Sequence, residues 1–426
     1  MGPSGCLFAG LKGLEFHVAD PAAPKKAGVA HSSEEFPSLN SGPFVKRPLT
    51  DYYFFGSIAG LPKSDPGAKM AIRVGIVGGN YGRTVLLPAF RLDPRCDVVA
   101  LAGSDAARAE KVAREAGVSR SYGSWRLLAE ADDIDVLAIA TPPSLQPQIA
   151  VRALALGKPV FVEKPLAADL AGARAMLSEA QASDRPAAVD FEFTQLPAWR
   201  QAKAMLDSGA VGGLRHVVVT WQVETYATRM RLDNWKTSRE QGGGALANLA
   251  SHGLHYLEWF CGPITALSAR ASGLPGESTP SESMVALAMS FASGACGSLS
   301  VSTASYLGSG HRLEFYGEDG ALVLANPTTR YMRGFTLHCA RRPAAALATV
   351  PVASDPRDID DLDDRIAPVS RLAAIFLDAI EQGKAVSPGL QEGYRVQWLI
   401  EAARRAHDRG VWLAADERTM RAEKAA

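Results

Sequence analysis

The chain is 426 residues long with 47% apolar and 21% charged residues, a globular composition that excludes general disorder. Lys and Arg number 45, as do Asp and Glu, so the formal net charge is zero. That balance argues against nucleic acid as a partner, which calls for a basic excess, and gives no attraction to anionic membrane surfaces.

In chain order, residues 1–69 hold nine Gly and eight Pro, against 30 Gly and 18 Pro in the remaining 357. No periodic element survives that density of chain-breakers, so this stretch is expected to be a disordered or spurious leader with Met70 as the natural start. It fits neither a secretory signal, a myristoylation site nor a transit peptide: it lacks a basic-then-apolar start, Cys6 stands where Ser or Thr is needed, and Glu15, Asp20, Glu34 and Glu35 intervene. The five cysteines (Cys6, Cys96, Cys261, Cys296, Cys339) are scattered with no Cys-x-x-Cys pair. That spacing predicts neither a disulfide framework nor a zinc site, and it suits a reducing, cytoplasmic setting. No apolar run is long enough to span a bilayer.

A short apolar strand, Ile72-Arg73-Val74-Gly75-Ile76-Val77, is followed by Gly78, Gly79, Asn80, Tyr81 and Gly82 and a helical pattern over 83–91. Strand, Gly-rich turn and helix bring backbone N–H groups against a pyrophosphate, although Asn80 takes the place of a middle glycine. Its tolerance of positive φ lets the turn survive. An ordinary βα turn is the alternative. Strands over 97–102 and 134–140, helices over 106–116 and 148–156, and the run Lys158-Pro159-Val160-Phe161-Val162 alternate as in a parallel, doubly wound sheet. Ligands in such sheets sit at the strand C-terminal ends, where Gly78, Gly103, Thr141 and Lys164 fall. The second strand ends in Gly103-Ser104-Asp105, with Arg108 and Arg83 nearby. Hydroxyl and guanidinium groups in place of a ribose-binding acid favour NADP over NAD, with Asp105 as the residue that reverses the choice if it faces the ribose.

The segment Val160-Phe161-Val162-Glu163-Lys164-Pro165, preceded by Thr141-Pro142 and by Ala153-Leu154-Ala155-Leu156-Gly157-Lys158, resembles the glucose–fructose oxidoreductase/inositol dehydrogenase/MocA family. The resemblance runs over about 72–413 and implies an α/β fold. A Rossmann domain over 70–190 would be followed by an α+β substrate-binding and oligomerisation domain with a large open sheet over 191–368, and helices over 369–426 would close the fold. It also implies a homodimer or homotetramer. The candidate cofactor contacts are Gly78, Gly79, Asn80, Tyr81, Gly82, Arg83, Ser104, Arg108, Thr141, Pro142, Glu163 and Lys164.

The second chemical region is Gly242-Gly243-Gly244-Ala245-Leu246-Ala247-Asn248-Leu249-Ala250-Ser251-His252. Asn248 and His252 stand four apart, hence on one helical face near its N-terminus. The glycines would let that terminus approach a ligand, and the helix dipole would keep a His there neutral. The bland reading is a satisfied core histidine. The resemblance makes His252 a general acid/base, Asn248 a group orienting it or the substrate, and Lys164 a donor to the substrate oxygen. His252, His255 and Glu258 rotate around a helix rather than converge, so no metal is expected. Departures from the family pattern occur at Pro143, Gln146, His255 and in Phe191-Glu192-Phe193-Thr194-Gln195, which lacks a frequent basic residue. Arg229, Arg231 and Trp235 lie on a loop and are candidate substrate contacts, the alternative being solvated loop charges and one packing Trp; of these, Arg231 and Trp235 are taken as the site residues. Strands over 215–224, 265–272, 284–291, 297–303, 312–316 and 321–324 and helices over 371–382 and 391–408 complete the expected fold.

The chain thus reads as an NAD(P)-dependent oxidoreductase acting on a secondary alcohol or ketone of a sugar, cyclitol or sugar derivative. The alternatives are a non-catalytic dinucleotide-binding sensor and a reductase of a non-sugar C=O, C=C or C=N bond.

Overall fold

The strand β1 (Ile72–Val77) runs through the centre of a six-stranded sheet, with Val74 and Ile76 packed on one face and Val77 on the other. The computed structural model describes residues 71–274, 281–416 and 419; the expected leader lies outside the described residues. The other strands are β2 (Cys96–Ala102), β3 (Arg120–Tyr122), β4 (Val136–Ile139), β5 (Val160–Val162) and β6 (Ala187–Val189). Their order is β3-β2-β1-β4-β5-β6, every neighbouring pair parallel. β3 and β6 were not foreseen: three residues each are too few to show a period. The strand order reverses between β1 and β4, and the crevice outside their C-terminal ends is where such sheets bind ligands. Gly78 follows one of these strands and Thr141 the other.

The second sheet is mixed and mostly antiparallel. Its strands are β7 (Leu214–Gln222), β8 (Ile264–Ser272), β9 (Met284–Phe291), β10 (Cys296–Ser302), β11 (Gly310–Gly317), β12 (Gly320–Asn326), β13 (Thr336–Arg341), β14 (Ala348–Val350) and β15 (Leu413–Ala414). They are ordered β14-β13-β12-β11-β7-β10-β9-β8-β15, with β7 and β10 pairing in parallel. Alternation decides the faces: Val217, Val219 and Trp221 of β7 and Val285, Leu287, Met289 and Phe291 of β9 are buried, while Met284 and Ala286 are exposed. Trp199 from the helix Pro197–Asp207 and Tyr256 and Phe260 from the helix Ser251–Cys261 belong to the same core as those strands. Their mutual packing places His252 over the sheet.

The C-terminal helices differ from the expected closing unit. The helix Ile366–Gln382 begins before the predicted 371, because Ile366 and Val369 already belong to a core. That core is the first sheet's. Phe376 meets Phe161 edge-on at 5.9 Å, and Phe161 meets Phe90 at 5.4 Å. The helix Leu390–Arg409 packs on both the helix Leu170–Ser183 of the first sheet and on β8 of the second, so it ties the two layers together. Burying a Phe side chain such as Phe376 contributes about 1.5–3 kcal/mol.

Candidate active site

The turn after β1 is fixed by Gly78, at φ +123°, where an added Cβ would stand 2.2 Å from the Ala140 carbonyl oxygen. Asn80 does not take the positive φ that its tolerance suggested: the left-handed demand falls on Gly78, and the Asn80 carbonyl accepts from Arg83 N at 3.0 Å and Thr84 N at 2.9 Å to start the helix. A Cβ at Gly79 would meet nothing within 4 Å, so the backbone there faces open space. At the end of β4, Thr141 Oγ1 is buried without a hydrogen-bond partner among the described residues. An open backbone beside an orphaned hydroxyl at the switch point fits a dinucleotide. Asp105 caps the helix Ala106–Glu115, accepting from Arg108 N at 2.7 Å, which directs that carboxylate oxygen to the helix. Ser104 and Arg108 are exposed beside it, and Arg83 reaches to within 4.0 Å of Glu115.

Lys164 follows β5, half-buried, its Nζ donating to the Asn248 carbonyl oxygen at 3.1 Å. Glu163 turns back to accept from Lys164 N at 2.8 Å. Beneath them, the buried Gln146 donates through Nε2 to the carbonyls of Pro165 (2.7 Å) and Leu166 (3.2 Å). The departure at Gln146 is therefore a support for the lysine's loop. Pro142, before the helix Gln146–Ala155, contributes its carbonyl to Leu145 N at 2.9 Å.

His252 lies within the helix Ser251–Cys261, which continues a π-helical stretch, Leu246–Ala250. It is buried, with Phe193 edge-on at 4.9 Å. Burial holds its imidazole well below the ordinary range, and the Lys164 ammonium adds to the effect. The expected cause, a helix N-terminus, is corrected: that terminus is closed by Glu282, which accepts from Ala245 N through its carbonyl (2.6 Å) and from Leu246 N through its carboxylate (3.2 Å). Nor do the glycines open toward a ligand. Added Cβ atoms would strike Pro143 and Ala168 at Gly242, the Trp235 carbonyl at Gly243 and the Glu282 carboxylate at Gly244. They are glycine because this chain packs on itself there. Asn248 and His252 share a helix, but the Asn248 amide donates to the Lys236 carbonyl at 3.0 Å, so its side chain does not orient the imidazole.

The imidazole's neighbour is instead Glu192, from the 3-10 turn Glu192–Gln195 after β6. His252 Nδ1 and Glu192 Oε2 are 3.8 Å apart, with side-chain exposures of 5% and 4%. Asp190 accepts from the Tyr81 hydroxyl at 3.1 Å, and the Arg365 guanidinium lies 5.1 Å over the Tyr81 ring. Burial raises the carboxyls of Glu163, Asp190 and Glu192, the last to about 8, with Lys164 opposing the rise at Glu192 and Glu163 reinforcing it. Burial likewise pushes the Tyr81 hydroxyl up.

Glu192, Asp190 and Arg365 were not anticipated. An acid between two Phe residues after a strand is an available signal for Glu192, whereas Arg365 arrives from far along the chain. His255 stacks on Phe191 at 4.0 Å and Glu258 pairs with Arg395 at 2.8 Å, so neither converges with His252. Arg231 is exposed at φ +48°, and Trp235 is half-buried on the turn Trp235–Thr237 above Gly243.

Two family models match in tandem: the oxidoreductase family, NAD-binding Rossmann fold, over residues 72–191, and the GFO/IDH/MocA C-terminal domain over 199–323. The chain belongs to the GFO/IDH/MocA oxidoreductase family. An uncharacterised oxidoreductase of Synechocystis sp. is 30% identical over 357 residues, covering 80% of this chain and 96% of that protein. Levoglucosan dehydrogenase of Pseudarthrobacter phenanthrenivorans is 26% identical over 384 residues, covering 78% and 95%. A levoglucosan dehydrogenase structure in complex with NADH superposes with a TM-score of 0.72 at 23% identity, covering 82% of this oxidoreductase and 100% of that chain, a likeness of fold.

Proposed function

We propose that this oxidoreductase interconverts a secondary alcohol and a ketone on a carbohydrate-like substrate. The observation that carries the reading is that Lys164, just past the C-terminal end of β5, bonds the Asn248 carbonyl four residues before the buried His252. Levoglucosan dehydrogenase among the relatives supports the substrate class. The nicotinamide, when bound, accepts or returns the hydride, and that chemistry belongs to the cofactor.

The chain's own task is the hydroxyl proton. His252 stays unprotonated at neutral pH because burial and Lys164 disfavour its charge, so it accepts the proton as the alcohol is oxidised. Lys164 donates to the same oxygen and stabilises the alkoxide charge as it develops. Burial by Phe193 excludes water from the imidazole. Gly78, Gly79, Asn80, Tyr81 and Gly82 would hold the pyrophosphate, and Thr141, Pro142, Glu163 and Lys164 would line the nicotinamide end. Arg231 and Trp235 would meet the substrate, and the open face of the second sheet would serve a homodimer or homotetramer.

NADP is favoured over NAD because Asp105 is engaged as a helix cap while Ser104 and Arg108 stay exposed. Arg108→Ala is expected to weaken NADPH binding about tenfold and leave NADH binding unchanged. Dissociation constants for both cofactors check this, and tighter NADH than NADPH refutes the preference. A panel of sugars and cyclitols, followed by NAD(P)H fluorescence, tests the activity. Turnover of a polyol ring supports it; cofactor binding without turnover across carbohydrates, carbonyls and imines would instead mark a sensor.

A further inference from the structure

We propose that Glu192 is the positioning residue of His252, taking the imidazole's Nδ1 proton in a hydrogen bond and balancing its charge when Nε2 accepts the substrate's proton. The proposal rests on the reading of His252 as the base.

Two orphans face each other. His252 Nδ1 and Glu192 Oε2 are both buried without a hydrogen-bond partner among the described residues, and they stand 3.8 Å apart. Buried polar atoms are rarely left unpaired, and an unsatisfied one costs about 1–3 kcal/mol in general. A small closure pairs both at once. Asp190 Oδ1 is likewise buried without a partner among the described residues, but the other oxygen of that carboxylate accepts from Tyr81, and the Glu163 carboxylate accepts from Lys164 N. Among the described residues, Glu192 is the acid that stands within 4 Å of the imidazole.

The pairing has a chemical consequence. A neutral imidazole has one donor nitrogen and one acceptor, and a carboxylate at Nδ1 selects the form in which Nε2 is the acceptor. The hydroxyl proton then moves to Nε2 while the Nδ1–H bond stays intact. The imidazolium so formed lies against the Glu192 carboxylate, so the pair carries no net charge in a site where burial penalises charge.

The groups around Glu192 set its titration. Lys164 and Arg365 favour its ionised form; Glu163 and Asp190 oppose it, and Tyr81 lies beside Asp190. On the helix Ser251–Cys261, His252 faces it and His255 is stacked on Phe191. From the helix Ile366–Gln382, Arg371 pairs with Asp355, while Asp378 and Glu381 pair with Arg95. On the helix Pro197–Asp207, Arg200 is exposed and Lys203 pairs with Asp207. With the carboxyl raised to about 8, ionisation lies on the alkaline side of neutrality, so alcohol oxidation gains rate as pH rises through that value.

The test is Glu192→Gln with Glu192→Asp beside it. Glu192→Gln is expected to lower kcat about 10²-fold with KM unchanged and to abolish the rise through pH 8, and Glu192→Asp to restore part of that rise. Histidine ¹⁵N spectra of the cofactor-free enzyme supply an independent readout, with the His252 signals assigned by His252→Asn. In the wild type those signals should titrate near pH 8, and in Glu192→Gln they should not. Wild-type kcat and pH profile in Glu192→Gln, or an unchanged ¹⁵N titration, overturns the proposal. If His252→Asn keeps full turnover, the base assignment falls instead, and the ¹⁵N titration still reports whether the pair exists.

Discussion

Alanine in place of His252 or Lys164 is expected to lower turnover by about 10²–10⁴-fold, the range for loss of a positioned proton-transfer group. The two losses have different origins. His252→Ala removes the proton acceptor, leaving bulk water that the Phe193 packing keeps out, so cofactor affinity should hold while the chemical step slows. Lys164→Ala removes the donor to the substrate oxygen and also its bond to the Asn248 carbonyl, which joins the loop after β5 to the π-helical stretch. Cofactor affinity should fall with turnover in that variant. Single-turnover measurements at saturating cofactor separate the cases, and near-wild-type turnover in both variants would end the acid/base assignment.

The second large effect concerns adjacent glycines with opposite outcomes. Gly78→Ala forces a side chain into positive φ and sets its Cβ 2.2 Å from a main-chain carbonyl that cannot move aside without shifting β4. About 3 kcal/mol of stability should be lost, read as a lower urea midpoint at unchanged m. Gly79→Ala meets nothing within 4 Å and should leave stability within about 0.5 kcal/mol. Its methyl group projects into the space proposed for the pyrophosphate, so NAD(P) affinity should drop about tenfold. Equal stability in the two variants would show that the turn is not set by Gly78.

The sequence was legible where elements are long and locally specified. The strands over 284–291 and 215–224 alternate clearly, and the structure has β9 at Met284–Phe291 and β7 at Leu214–Gln222. The Glu163-Lys164-Pro165 turn carried the family. What stayed hidden depends on tertiary neighbours. Gly242, Gly243 and Gly244 read as an opening toward a ligand, but a glycine run is the same string whether it faces a phosphate or a carbonyl of its own chain. The spacing of Asn248 and His252 indicated a common face and nothing about which partner each side chain takes. Glu192 was visible as an acid among aromatics, yet its role requires knowing that the turn after β6 comes to rest under the helix carrying His252.

The helix Ile366–Gln382 carries a consequence for biosynthesis. Phe161, on β5 of the nucleotide sheet, is covered by Phe376, more than half the chain away. Domains emerging from the ribosome usually fold in order, N-terminal first. Here the first sheet leaves the ribosome with one apolar face covered only in part, by Phe90 and its neighbours, and keeps it so until all but the last strand of the second sheet has been made. During that interval the exposed face is a liability for association between nascent chains. Chaperone dependence should therefore track how fast the last part of the message is translated, rather than the part that encodes the nucleotide site.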